Sequence, residues 1–157
     1  MASIEELRDE RLKKKALLEA QGFDPYPNEC HRTDTIAVFL DRFSLYESGK
    51  DEIVLAGRIM SKRGQGGIAF CDLYDGTAKT QIFLKLDEMP AESYTLFNDT
   101  IDVGDFIEAT GIAYTTQKGQ QSLFLKQWRM LSKSLRPIPD SWYGIEDPEE
   151  KLRKRYL

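Results

Sequence analysis

Hydrophobic and polar positions alternate along three consecutive segments in the middle of the chain, residues 53–63, 67–74 and 79–84. An alternation with a period of two is typical of β-strands that bury one face. The first two segments are joined by the glycine-rich sequence Gly64–Gly67, and the next two by Asp75-Gly76, and both connections favour tight turns. The pattern therefore predicts three antiparallel strands in a row.

The same period of two returns in residues 103–114 and 121–131, after a short helical segment at residues 90–98. Gly57 and Gly111 lie within predicted strands and indicate a bend or bulge, as a curling barrel strand requires. Three strands, a helix and two strands is the order of the OB-fold, a five-stranded Greek-key barrel. An immunoglobulin-like sandwich needs more strands and no inserted helix, whereas an unrelated five-stranded barrel is an alternative that the pattern leaves open.

Helical patterns precede the strands. Ser3 and Glu6 fit a capping box, which predicts a helix that starts there and ends near Gly22. Residues 23–28 contain two prolines, which exclude a helix. An apolar face with helical spacing then predicts a second, short helix over residues 33–43.

These elements predict an α+β protein that is mainly β with flanking helices. We expect an N-terminal helical extension over residues 1–50, an OB-fold barrel over residues 51–134, and a linker over residues 135–157. The linker begins with the extended, proline-rich Leu135–Asp140. It continues into a helix that starts at Asp147 and has no C-cap, so we expect the chain to be part of a longer protein.

Composition restricts the classes of function. A net charge of −4 argues against a general DNA-coating protein, but it allows a local nucleic-acid site on an acidic body. Apolar runs fall short of the ~20 residues of a membrane span, and the N-terminus lacks a secretion signal. Cys30 and Cys71 have no CxxC spacing, and no His/Cys/Asp cluster has the spacing of metal ligands. We expect a cytoplasmic protein with reduced cysteines and no metal in this segment.

A cation, an aromatic ring and an amide share the polar face of the first three strands: Arg63, Phe70 and Gln81. Phe70 takes a position where a strand should show a solvated side chain, so its ring can stack on a ligand. The alternatives are a ring covered by a neighbouring loop, and polar residues that only meet solvent. Lys62 can exchange roles with Arg63, because the spacing near Gly64 is uncertain.

Three basic residues of the predicted first helix, Arg8, Arg11 and Lys15, fall on one side at spacings of three and four. They form either a solvated helix face or a basic row that contacts a phosphate backbone.

Several segments together resemble the N-terminal region of class II lysyl-tRNA synthetases, in the same order and over nearly the whole chain. The two proline-rich segments, after the first helix and after the last strand, are the most specific. Aspartyl- and asparaginyl-tRNA synthetases share the barrel and its polar face but are less similar in those two segments. The segments that carry the resemblance are Phe23–Asn28, Ala56–Arg63, Phe70–Leu73, Gln81, Val103–Asp105, Leu135–Asp140 and Arg153–Leu157.

The resemblance implies a domain that binds the anticodon of tRNA(Lys), UUU or CUU. In that family the counterparts of Arg63, Phe70 and Gln81 engage the anticodon, chiefly its central uridine. Stacking on Phe70 and hydrogen bonds from the amide of Gln81, which both donates and accepts, suit that base. Many bacterial relatives have an acidic residue after the glycine of the last hairpin, where this chain has the uncharged Gln120.

The resemblance also implies that the parent protein is a homodimeric lysine–tRNA ligase that uses ATP and Mg²⁺. The class II catalytic motifs would lie beyond Leu157. We therefore expect this segment to contain no catalytic residue, to need no cofactor, to be inactive alone and to be able to exist as a monomer. A single-strand nucleic-acid-binding OB protein, a free-standing tRNA-binding module and a protein-interaction barrel are the alternatives.

Overall fold

A closed barrel of five strands is the centre of the computed structural model, which describes residues 3–138, 148–153 and 155. The strand order around the barrel is β1-β2-β3-β5-β4. Neighbouring strands are antiparallel, except for the parallel pair β3–β5. This is the topology of the OB-fold, so the predicted fold class is confirmed. The strands are β1 Glu52–Gln65, β2 Ile68–Tyr74, β3 Lys79–Lys85, β4 Phe106–Thr115 and β5 Gln121–Ser132.

Five α-helices accompany the barrel among the described residues. The predicted capping box is present, because the backbone N–H of Glu6 donates to Ser3 Oγ and that of Ser3 donates to the Glu6 carboxylate. The single helix predicted over residues 33–43 is instead two short helices. The helices are α1 Ile4–Ala20, α2 Ile36–Asp41, α3 Phe43–Gly49, α4 Ala91–Thr100 and α5 Pro148–Arg153, with a 3₁₀ turn at Leu86–Glu88.

The break between α2 and α3 falls at Arg42, which ends one helix and precedes the next. Across this break Phe43 packs edge-to-face on Phe39, with ring centroids 5.4 Å apart, and both rings are buried. The predicted cap at Asp147 lies outside the described residues.

The helical extension and the barrel share one hydrophobic core. Leu18 of α1 and Ile36 of α2 are fully buried and belong to the same cluster as Leu55 and Ile59 of β1. Phe97 of α4 belongs to this cluster and is also fully buried. None of the described helices is long and apolar enough to cross a lipid bilayer.

Register shifts in β1 and in the β4–β5 pair shape the barrel wall, and one of them lies at the start of β4, between Phe106 and Ile107. The β4–β5 register shifts between Thr110 and Gly111, in agreement with the bend or bulge that Gly111 predicted. In β1 the register against β2 shifts between Ile59 and Ser61, so the bulge is at Met60 rather than at Gly57. The bulge reverses the alternation of β1, because Ile59 faces the core whereas Arg63, four residues later, is exposed.

A buried ionic cluster joins the N-terminal helix to the two ends of the last hairpin. The ammonium group of Lys133, which is fully buried, lies 2.7 Å from carboxylate oxygens of both Asp102 and Asp105. Lys14 of α1 pairs with the other oxygen of Asp102. A buried charge is tolerated only when it is paired and hydrogen-bonded, so these contacts fix the loop before β4 against the segment after β5.

Candidate nucleic-acid interface

An open cleft of about 710 Å³ lies on the outer face of the barrel, against β1, β2, β3 and the β4–β5 hairpin. Four residues predicted from the sequence, Arg63, Phe70, Gln81 and Gln120, all line it. The remaining lining residues are Gly64, Ile68, Phe83, Lys85, Tyr114, Thr116, Gln117 and Lys118.

One row of side chains crosses four strands on this face. Arg63, Phe70, Phe83 and Phe124 are successive register partners from β1 to β5. The Phe70 ring is only half-buried, and its centroid lies 5.9 Å from that of Phe83. The Arg63 guanidinium carbon lies 5.8 Å from the centroid of Phe70. The register of the strands thus places a partly exposed ring and a guanidinium side by side in the cleft.

Beneath Phe70 lies an aromatic floor, formed by Phe83, Phe124 and Tyr114. Phe83 and Phe124 stack in parallel, with centroids 4.8 Å apart and 6° between their planes. Tyr114 packs on both, at 5.5 Å and 6.1 Å between centroids. Because these rings cover it, Phe83 is only 3% exposed although it faces away from the barrel core. Phe70 contacts this floor through Phe83, so one side of its ring is supported by a packed aromatic group rather than by solvent.

A second row carries polar groups. Asp72 of β2, Gln81 of β3 and Ser122 of β5 are register partners. The Ser122 hydroxyl donates to Gln81 Oε1 at 3.0 Å, and the Ser61 hydroxyl donates to Asp72 at 2.7 Å. The amide of Gln81 therefore lies between a carboxylate and a hydroxyl.

The charge of the cleft differs from that of the whole chain. Three cations, Arg63, Lys85 and Lys118, line it, and its described lining contains no carboxylate. The chain as a whole carries a net charge of −4. A concave surface lined by one sign of charge attracts ions of the other sign, so the cleft favours a polyanion.

Lys62 does not reach the cleft. The bulge at Met60 turns its side chain to the other side of β1, where its register partner is the buried Cys71. Its ammonium group donates to the carbonyl oxygens of Asn98, at 2.7 Å, and Ile101, at 2.9 Å, near the C-terminus of α4. Burial lowers the pKa of this ammonium group. Lys62 is thus a helix-end partner and does not replace Arg63.

The basic row predicted on α1 is largely engaged within the protein. The Arg11 guanidinium donates to the backbone carbonyls of Ser134, Arg136 and Val103, at 3.0–3.1 Å. Lys15 pairs with Glu19 at 2.7 Å, and that hydrogen bond raises the pKa of Lys15. Helical spacing cannot reveal these partners, since those of Arg11 lie 92–125 residues away.

Of the three predicted residues, Arg8 alone is left without a hydrogen-bond or ion-pair partner among residues 3–138, and it is exposed. The spacing allowed either a solvated helix face or a basic row, and contact of these residues with a phosphate backbone stays a prediction.

A smaller cavity of about 360 Å³ lies between the N-terminal extension and β4–β5. The Arg129 guanidinium donates to Glu108, at 2.9 Å, and to the carbonyl of Glu29, at 2.8 Å. Burial alone would raise the pKa of Glu108, but hydrogen bonds from the backbone of His31 and from Arg129 lower it. These contacts attach the extension to the barrel. Among the described residues, no cluster of three or more His, Cys, Asp or Glu fits a metal ion.

Comparison with known proteins agrees with this geometry. The family model for the tRNA anti-codon OB-fold nucleic acid binding domain matches residues 53–131. The lysine–tRNA ligases of Pelotomaculum thermopropionicum and Carboxydothermus hydrogenoformans are both 39% identical, over 98% of this chain and 30% and 31% of their own lengths. That of Halalkalibacterium halodurans is 38% identical, over 94% of this chain and 30% of its own length.

The chain therefore spans less than a third of the length of these relatives. The resemblance to the N-terminal region of lysyl-tRNA synthetases is confirmed, since these ligases match the chain almost throughout. Because the family model covers the barrel from β1 to β5, the chain belongs to the tRNA anti-codon family of OB-fold nucleic acid binding domains.

Proposed function

We propose that the cleft binds the anticodon loop of tRNA(Lys), UUU or CUU, and that the central uridine stacks on Phe70. The observation that carries the proposal is a partly exposed ring beside a guanidinium and an amide, in a cleft that is cationic on an acidic body. Proteins recognise single-stranded RNA by this combination of stacking, base-edge hydrogen bonds and contacts to phosphates.

Each side chain has a distinct role in this proposal. Phe70 provides the stacking surface and the amide of Gln81 reads the edge of the uridine. Arg63 holds a phosphate, or stacks on the base and bonds to it at once. Gln120, in the loop between β4 and β5, contacts a neighbouring base through its uncharged amide. Lys118, in the same loop, neutralises phosphate.

We also propose that the chain is the N-terminal part of a class II lysine–tRNA ligase, which attaches lysine to tRNA. The names of its relatives and its share of their length support this. ATP and Mg²⁺ then belong to the catalytic part, the whole enzyme is a cytoplasmic homodimer, and the present segment is inactive alone. A charging assay with and without the catalytic part tests the requirement for ATP and Mg²⁺ and the inactivity of the segment.

Replacing Phe70 by alanine should weaken binding to a UUU anticodon stem-loop about 5- to 150-fold, since base–aromatic stacking contributes about 1–3 kcal/mol. Fluorescence anisotropy with labelled RNA at one fixed salt concentration measures the effect.

The matched control for Phe70→Ala is Tyr74→Ala. Tyr74 lies on the same strand and the same outer side, and it is 43% exposed, but it does not line the cleft. Its removal should leave RNA affinity unchanged. Equal affinities of the wild type and Phe70→Ala would refute the stacking role.

Separate substitutions of the neighbours Lys62 and Arg63 distinguish a structural contact from an RNA contact. Arg63→Ala should reduce the affinity for RNA and, if the guanidinium holds a phosphate, lower the salt slope by about 0.7. Lys62→Met should preserve RNA affinity but lower the free energy of unfolding by about 1–3 kcal/mol, because backbone carbonyls lose their donor. Binding and thermal unfolding of both variants check this, and the opposite assignment of effects would show that Lys62 is the RNA contact.

A further inference from the structure

The amide of Gln81 has polar neighbours on both sides. On β5, the fully buried Ser122 donates its hydroxyl proton to Gln81 Oε1 at 3.0 Å. On β2, the register partner of Gln81 is Asp72, which already accepts a hydrogen bond from Ser61. Side chains that face each other on antiparallel strands such as β2 and β3 have Cβ atoms about 4.5–5.5 Å apart, so Asp72 affects the amide as well as Ser122.

These two neighbours favour the same orientation of the amide. A side-chain amide can turn over with almost no change in shape, so its orientation depends on its hydrogen-bond partners. A hydroxyl donor at Ser122 attracts the amide oxygen. The Asp72 carboxylate accepts only, and it attracts the amide nitrogen and repels the oxygen.

The Ser122 hydroxyl also lies 3.3 Å from the carbonyl oxygen of Gln120, which offers its proton a second acceptor. If that proton went to Gln120, the hydroxyl could accept from a reversed Gln81 amide. The reversed amide would turn its oxygen towards the Asp72 carboxylate, which is unfavourable. The contact at 3.0 Å is also the shorter of the two.

We propose that Ser122 is a positioning residue, which holds the oxygen of the Gln81 amide on the β5 side, so that one proton of the amide nitrogen faces Asp72 and the other faces the bound base, and the cleft therefore selects uridine over cytidine. The inference rests on the proposed function of the cleft. Uracil presents an acceptor oxygen at position 4, where cytosine presents an amino group. A fixed amide nitrogen donates to the oxygen but faces another donor in cytosine. An amide that is free to turn can satisfy either base.

The test compares two stem-loops, with UUU and UCU in the anticodon, at one salt concentration. The wild type should prefer UUU by about 5- to 150-fold, the range for a good base-edge contact. Ser122→Ala should reduce this ratio about fivefold or more, chiefly through tighter binding of UCU. Ser122→Thr keeps the hydroxyl and should restore the ratio.

Phe70→Ala is the control for a loss of affinity without a loss of selectivity, so it should weaken both RNAs and leave their ratio unchanged. A general disturbance of the cleft by Ser122→Ala would likewise weaken both RNAs. Only a turning amide improves the binding of UCU.

The possible failures are distinct. If the wild type binds neither stem-loop, the proposed function is wrong and this inference with it. If it binds both equally, Gln81 does not read the base. If it discriminates but Ser122→Ala keeps the same ratio, the positioning role is overturned while the function of the cleft stands.

A measurement on the unsubstituted protein covers the case in which Ser122→Ala does not fold. With the proposed orientation, the Gln81 amide protons point away from Ser122, so NMR should detect no strong nuclear Overhauser effect between them and the Ser122 β-protons. A strong effect would place the amide nitrogen against Ser122 and overturn the proposal.

Discussion

Replacing Lys133 by methionine should lower the free energy of unfolding by about 3–5 kcal/mol, the usual cost of breaking a buried ion pair. The Lys133 side chain is fully buried and holds Asp102 and Asp105, whose side chain is also fully buried. Methionine fills a similar volume but leaves the two carboxylates without their shared cation. Urea unfolding at neutral pH, analysed by linear extrapolation, measures the difference.

Lys13→Met is the matched control. Lys13 pairs with Glu10 on an exposed face of α1, where water and salt screen the ion pair. Its removal should therefore hardly change the unfolding midpoint. Similar losses in the two variants would show that burial does not determine the strength of the Lys133 cluster.

The effect of Lys133→Met should also depend on pH. Burial alone would raise the pKa of Asp102, but hydrogen bonds from Lys133 and Lys14 lower it below its ordinary value of 3.8. A carboxyl with a lowered pKa stabilises the fold above its ordinary pKa, and this contribution is lost as the pH falls through the lowered value. The stability difference between wild type and variant should thus be largest near neutral pH and shrink in acid below 3.8.

Gly111→Ala should destabilise the barrel by about 3 kcal/mol or more, or prevent folding. An ideal Cβ at this position would lie 2.0 Å from the carbonyl oxygen of Phe124 and 2.8 Å from its carbonyl carbon. Both atoms are backbone atoms of β5, so the clash cannot be relieved by turning a side chain. The two strands would have to separate next to their register shift.

Gly64→Ala provides the comparison for Gly111→Ala. A Cβ there meets its nearest atom, the Ile68 carbonyl oxygen, at 3.6 Å, which is an ordinary contact. The free energy of unfolding of this variant should lie within about 0.5 kcal/mol of the wild-type value, as it does for most substitutions away from special sites. If Gly111→Ala is equally harmless, β4 and β5 can separate locally at little cost.

The strands and most of the cleft could be predicted from alternation. Phe70 and Gln81 are on the same face because two antiparallel strands with matching alternation leave little freedom in register. The glycine-containing turns fixed where each strand ends, and the element order then left the OB-fold as the leading topology. What the pattern determined was which side chains share a face.

What covers a face could not be predicted. Phe83 shares the outward side of β3 with Gln81, and alternation suggests that it is solvated, yet its neighbours bury it in the aromatic floor. Tyr114 completes that floor from the end of a strand far away in the sequence. An aromatic residue at an outward position of both β2 and β3, Phe70 and Phe83, is the signal that could have revealed the floor.

Lys62 and Arg63 show a second limit. A single inserted residue exchanges the two faces of a strand, and nothing in the sequence distinguishes Met60 from Gly57 as the place of the bulge. Long-range pairing is a third limit. Helical spacing identified Arg11 as basic and accessible, whereas its three carbonyl partners become visible only when the chain is folded.

The contacts of Arg11 have a consequence for the order of events during synthesis. α1 is made first, but the guanidinium of its Arg11 donates to the carbonyl of Ser134, which lies 123 residues further along the chain. At roughly 5–20 residues per second, about 6–25 s pass before that acceptor exists. Until then α1 lacks the partners that Arg11 binds beyond β5. The first helix of the chain therefore cannot complete its contacts before the segment after the last strand has been made.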